Sequence, residues 1–176
     1  MIKTILVATD GSDHAGKAVD LAADIAGKYG ARLVLLHVLL RDASAGDVLA
    51  MPLAKALSDE VKAELERLAA APIEAAAGAG AYIDVRVPVP AEILREVGNR
   101  ITEAAQKAAG IRGAGDISVV IGDGDPAKRI LAAAETEGVD TIVLGSRGLG
   151  NIRGMLVGSV SHKVSHLAEC TCITVK

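Results

Sequence analysis

The chain packs a strand, a helix and a second strand into its first 40 residues, and this β-α-β pattern limits every fold open to the rest. Residues 2 to 9 are β-rich and almost continuously apolar after Lys3, as expected of a strand covered on both faces. Ser12 is the expected N-cap of the helix that follows. Ala15, Ala18, Val19, Ala22, Ile25, Ala26 and Tyr29 recur at helical spacing until Gly30 ends the run. Residues 32 to 39 form a second apolar run. Strands joined this way lie parallel, with a right-handed crossover.

The C-terminal half repeats the alternation. Ile117 to Ile121 reads as a third strand, and a helix follows from about Ala127 to Glu137 with Pro126 in its first turn. Thr141 to Leu144 is the fourth strand, a helix spans about Ser159 to Leu167, and Cys172 to Val175 is a short fifth strand. Between the second and third strands, residues 53 to 71 are predicted as one alanine-rich helix and residues 73 to 81 are low-complexity Ala/Gly. Tyr82 to Val89 alternates like a short strand or hairpin arm, kept off a sheet centre by Pro88 and Pro90. Residues 91 to 109 are helical again. The expected fold is a single-domain α/β protein over residues 1–176: an open, doubly wound, Rossmann-like sheet of five parallel strands with helices on both faces.

Composition removes several functions. A net charge of -3 gives no broad capture of nucleic acid, and the lack of Phe and Trp leaves no platform for stacking bases. The cysteines, Cys170 and Cys172, form no disulfide framework, so a reducing compartment is expected. No run approaches the ~18 apolar residues of a membrane span, and the N-terminal apolar run is too short for a secretory signal. A soluble, cytoplasmic protein is the expectation.

In open parallel sheets ligands bind beyond the carboxyl ends of the strands, where strand order reverses. Four such ends stand out: Ala8-Thr9-Asp10-Gly11, Val38-Leu39, Gly122 to Asp125, and Gly145-Ser146-Arg147-Gly148. The last begins a glycine ladder that runs to Gly158-Ser159, where a helix opens. Glycines let backbone approach a ligand closely, and a helix N-terminus presents free N–H groups, so the ladder suits phosphate. The guanidinium groups of Arg147 and Arg153 suit the same ligand. Asp10 fits a ribose hydroxyl or a phosphate-bound metal ion, and equally a role in solvating its own turn.

Other motifs fail on phase or spacing. Gly11 to Ala18 approximates a P-loop but lacks the closing Ser or Thr, and Ala15, Ala18 and Val19 already keep helical phase. Gly145-Ser-Arg-Gly-Leu-Gly has neither the spacing nor the place of a Rossmann fingerprint. His162, His166 and Cys170 are four apart, with Cys172 two further on, a set that on paper could ligate zinc. Val160, Val164 and Leu167 mark the expected buried face, however, which turns the histidines to solvent. His37 reads as a hydrogen-bonded core histidine and His14 as an exposed residue at a helix start. No acid/base pair or nucleophile elbow emerges.

Gly145, Gly148, Gly158 and Ser159 fit a signature of glycine, two residues, glycine, nine residues and glycine-serine. With Thr9-Asp10-Gly11-Ser12, Leu36-His37-Val38, Gly124-Asp-Pro126-Ala127, Ser-Val-Ser-His-Lys-Val and the closing Ile-Thr-Val, the chain resembles the universal stress protein family, specifically its ATP-binding branch. The matching pieces cover residues 2 to 40 and about 117 to 176. The resemblance implies that Gly145, Arg147 and Gly148 face Gly158, Ser159 and Val160 across the triphosphate. It places Asp10 near the ribose and the Mg2+ or Mn2+ bridging the phosphates, Ala8 and Thr9 on the pocket floor, and the Val38 backbone at the adenine edge. It also implies a homodimer through the last strand and a stress sensor with little or no hydrolysis. Two departures are Cys172, where many relatives carry proline, and an expected insertion at about residues 72 to 95. The insertion raises an alternative, a nucleotide-independent interaction protein on the same fold. A third class, the related adenylating enzymes, needs a Ser-Gly-Gly-rich first loop that Thr9-Asp10-Gly11-Ser12 does not supply.

Overall fold

The computed structural model describes residues 2–70, 87–149 and 158–176. These fall into two compact units, Met1–Leu39 with Gly98–Lys176, and Leu40–Val97.

The first unit is a five-stranded parallel sheet. Its strands are β1 (Thr4–Ala8), β2 (Arg32–Val38), β3 (Ile117–Gly122), β4 (Thr141–Gly145) and β5 (Thr171–Val175), in the order β3-β2-β1-β4-β5. From β1 the chain winds outward through β2 to β3, then returns to the other side of β1 for β4 and β5. The reversal lies between β1 and β4, and this puts the ends of those two strands together.

Alternate residues of each strand enter opposite cores. On one face Ile5, Val7, Leu33, Leu35 and Val143 pack against Ala18, Val19, Ala22, Ala23 and Ala26 of α1 (Asp13–Tyr29) and against Ala105 and Ala109 of α4 (Ala91–Ile111). On the other, Leu6, Val34, Leu36, Val38, Ile142 and Leu144 meet Ala127, Ile130 and Ala134 of α5 (Pro126–Thr136) and Val164 of α6 (Ser159–Leu167). Because both faces are covered, the inner strands read as unbroken apolar runs instead of alternating ones. α1 runs close to the turn after α4, where a Cβ on Gly27 would lie 3.0 Å from the Gly113 carbonyl oxygen.

The helix boundaries have local causes. Ser12 accepts the Ala15 N–H to cap α1, which ends at Gly30 in the left-handed conformation (φ 64). Asp125 caps α5 through the Lys128 N–H, with Pro126 in the first turn.

The second unit holds α2 (Ala45–Leu49), a 3-10 turn (Pro52–Ala56), α3 (Asp59–Ala69) and the start of α4. Here two expectations need correction. Residues 53 to 71 are not one helix, because Ser58 starts α3 by accepting the Val61 N–H. The helix at Ala45–Leu49 follows from a capping box between Ser44 and Asp47 that the apolar spacing does not reveal. Of the strand expected at 82 to 89, only 87 to 89 lie within the described residues, and they carry no strand.

Candidate functional site

The carboxyl ends of β1 and β4 meet through Asp10. Its Oδ1 accepts the Ser12 N–H at 3.0 Å and its Oδ2 accepts the Leu149 N–H at 3.0 Å. The first bond is the turn-stabilising role foreseen as one alternative. The second, 139 residues away along the chain, clasps the glycine loop onto the end of β1. Each carboxylate oxygen keeps a further lone pair. Gly11 follows at φ 81, a left-handed turn that suits a residue without a Cβ.

The loop glycines sit at close approaches, tightest against backbone at Gly145. A Cβ on Gly148 would collide with the Asp10 carboxylate, and one on Gly145 would lie 2.8 Å from the carbonyl carbon of His14 and 2.9 Å from the Ala15 nitrogen. A Cβ on Gly158 would press to 3.3 Å from the Ser146 carbonyl oxygen. The loop therefore runs directly over the start of α1. Residues 150 to 157, including Arg153, lie outside the described residues.

Ser146 organises this crossing. It is fully buried. Its N–H donates to the Val175 carbonyl at 2.6 Å, and its carbonyl accepts from the Gly158 N–H at 2.7 Å and the Ser161 hydroxyl at 3.0 Å. Its own hydroxyl shares a 2.8 Å hydrogen bond with Nδ1 of His14. From spacing, Ser146 reads only as loop and His14 as exposed. His14 is in fact half-buried against the loop, and only the pairing of α1 with β4 reveals this. Arg147 extends its side chain to solvent, while its carbonyl accepts the Ser12 hydroxyl at 3.5 Å.

On the far side Gly158 is the N-cap of α6 and gives it no side-chain cap. The helix thus starts at Ser159 and Val160 without the hydroxyl or carboxylate that closes α1 and α5. Ala8 is half-buried, and Thr9 and Val38 are buried. Thr9 keeps its N–H on the Leu36 carbonyl at 2.9 Å, and the Leu39 N–H reaches the Gly122 carbonyl at 2.9 Å. The sequence-derived residues on β1, on the described part of the loop and at the start of α6 thus gather at the strand reversal, with Val38 at the end of β2 beside β1.

His37 is a buried core histidine, as read from the sequence, with Nδ1 2.9 Å from the Thr9 carbonyl. Burial holds its pKa below the ordinary value, against the opposing pull of the Thr9 hydrogen bond and the nearby Asp10 charge. Leu167, expected on the buried face of α6, is 53% exposed; Ser161 and Val164 form that face. The stripe is offset because Ala168 and Cys170, past the helix end, pack on this core in its place. His162 and His166 stack in solvent. Cys170 and Cys172 pack half-buried against the sheet, and burial raises both thiols. Among the described residues no group of three or more His, Cys, Asp or Glu could hold a metal ion, and no helix is long and apolar enough to cross a membrane.

The family model for the universal stress protein family matches residues 1–176. The chain belongs to the universal stress protein family. It is similar to "Universal stress protein YxiE" of Bacillus subtilis, 31% identical with all of both chains covered. It is also similar to "Universal stress protein in QAH/OAS sulfhydrylase 3'region" of Thermus aquaticus, 33% identical over all of both chains. Among solved structures it resembles UspA from Lactobacillus plantarum, with a TM-score of 0.66, 22% identity and coverage of 100% and 99%. Two other similar structures were solved with nucleotides. One is a universal stress protein in complex with cAMP (TM-score 0.59, 23% identity, coverage 99% and 96%), and the other is that of Archaeoglobus fulgidus in complex with dAMP (0.59, 19%, 100% and 98%). At these identities the structural likeness shows the fold.

Proposed function

We propose that this universal stress protein binds ATP with Mg2+ or Mn2+ at the β1/β4 reversal and acts as a nucleotide-dependent sensor or regulator in the stress response, with little or no hydrolysis. The observation that carries the reading is the clasp of Asp10 on the glycine loop. Two remote segments converge there, and a Cβ on Gly148 would displace the Asp10 carboxylate.

The residues fit a polyphosphate. Backbone of Gly145, Arg147 and Gly148 faces the uncapped start of α6 at Gly158, Ser159 and Val160, a source of N–H donors and positive dipole. Arg147 adds an exposed guanidinium. Asp10 is the residue to hold the cation, through lone pairs left over from its two N–H bonds. Ala8, Thr9 and Val38 offer aliphatic surface and backbone to a base, since no Phe or Trp is available to stack on it. In this reading bound ATP supplies a readable state more than a reaction, since among the described residues no side chain is placed as a general base. The nucleotide complexes of the two related structures are consistent with an adenine ligand. The full-length family match supports one domain over residues 1–176; the 72–95 segment is proposed as an insertion within it. The exposed edge strand β5 supports pairing of two copies.

Protein purified without added ligand and then denatured should release adenine nucleotide in near-stoichiometric amount. Incubation with ATP and Mg2+ should release almost no phosphate. Protein that carries no nucleotide and is not stabilised by any adenine nucleotide would favour the nucleotide-independent interaction protein.

A further inference from the structure

We propose that His37 is a positioning residue of this site: its Nδ1–H, donated to the Thr9 carbonyl, fixes the end of β1 so that Asp10 meets the glycine loop. The proposal rests on the nucleotide reading above.

Thr9 is where β1 leaves the sheet. Its N–H still donates to the Leu36 carbonyl at 2.9 Å, and its carbonyl accepts from His37 at 2.9 Å. The peptide that leads into Asp10 is thus held from β2 at both ends of one residue. A carbonyl oxygen can only accept, so a proton sits on Nδ1, and burial disfavours a second one, which makes the ring the neutral Nδ1–H tautomer. Nε2 then bears a lone pair, and it is buried with no hydrogen-bond partner among the described residues.

The ring packs against α4 at Gly98. A Cβ on Gly98 of α4 would lie 2.8 Å from the His37 Cδ2 and 3.2 Å from its Nε2, so the imidazole fills the place where α4 has no side chain. Position 37 alternates with Leu33 and Leu35 on an otherwise aliphatic face. A leucine would fill it without orphaning a nitrogen. What leucine lacks is the donor to Thr9, one residue before the carboxylate that clasps Leu149.

The test separates shape from donor. His37→Asn keeps an N–H near the Nδ1 position, whereas His37→Leu keeps volume without a donor. Calorimetric titration with ATP and Mg2+ should give H37N an affinity within ~3-fold of wild type and H37L a loss of ~10-fold or more, the scale of one buried hydrogen bond. Nitrogen NMR of the wild-type imidazole should report protonation at Nδ1. Wild-type affinity in H37L, or a proton on Nε2, overturns the role of His37 and leaves the nucleotide reading standing. Absence of ATP binding by wild type overturns both. Should H37L fail to fold, Gly98→Ala, which drives a Cβ into the ring, must weaken ATP binding, and unchanged affinity there refutes the proposal.

Discussion

At Gly145 the absence of one carbon decides whether β4 can pass over the start of α1. The nearest atoms to an added Cβ are backbone, at 2.8 and 2.9 Å, which cannot swing aside. Gly145→Ala should therefore cost about 1–3 kcal/mol of stability, read as a lower urea midpoint with an unchanged slope. His37 sets a pH dependence. Its folded-state pKa lies below the unfolded value of ~6.5, so below that pH the unfolded chain binds a proton that the folded one resists. Stability should fall as pH drops from ~6.5 toward the depressed pKa, by up to ~1.4 kcal/mol per pH unit. Urea unfolding at several pH values should show this slope in wild type and a shallower one in His37→Asn. At this scale the sequence was informative where chemistry is tied to spacing. Strand-end position marks both Asp10 and the glycine ladder, and the Asp10–Leu149 bond brings those two segments together. The pairing of Ser146 with His14 could not be read this way, because their 2.8 Å bond depends on two elements 132 residues apart.

Among elements, capping explains both what was legible and what was not. Ser12 caps α1 with its hydroxyl and Gly30 ends it in the left-handed conformation, the bounds that the sequence predicts. The break between the 3-10 turn and α3 falls inside an alanine-rich stretch whose apolar spacing continues across it, and only Ser58 and Pro52 mark it. Ser12→Ala should destabilise the protein by about 1 kcal/mol through the lost cap, with Ser12→Gly costing only a few tenths. Thermal or urea unfolding of the pair checks this, and equal losses would show that the bond to Arg147 matters more than the cap. The uncapped start of α6 is the opposite case. A helix whose first N–H groups receive no side-chain oxygen is suited to an anion from elsewhere.

For the molecule as a whole, the order β3-β2-β1-β4-β5 places the reversal between β1 and β4. Alternation of strands and helices was enough to predict a doubly wound sheet, because apolar runs buried on both faces admit few other arrangements. Strand order itself is not written in periodicity, since each apolar run would pair equally well with several neighbours. Calorimetric titration of wild type and Gly148→Val with ATP and Mg2+ tests whether this reversal is an ATP site. Wild type should bind one nucleotide per chain with measurable heat, and Gly148→Val, folded but with its loop forced off Asp10, should give none. Wild type without heat, or a folded Gly148→Val that binds as tightly as wild type, would mean that ATP does not bind through this loop.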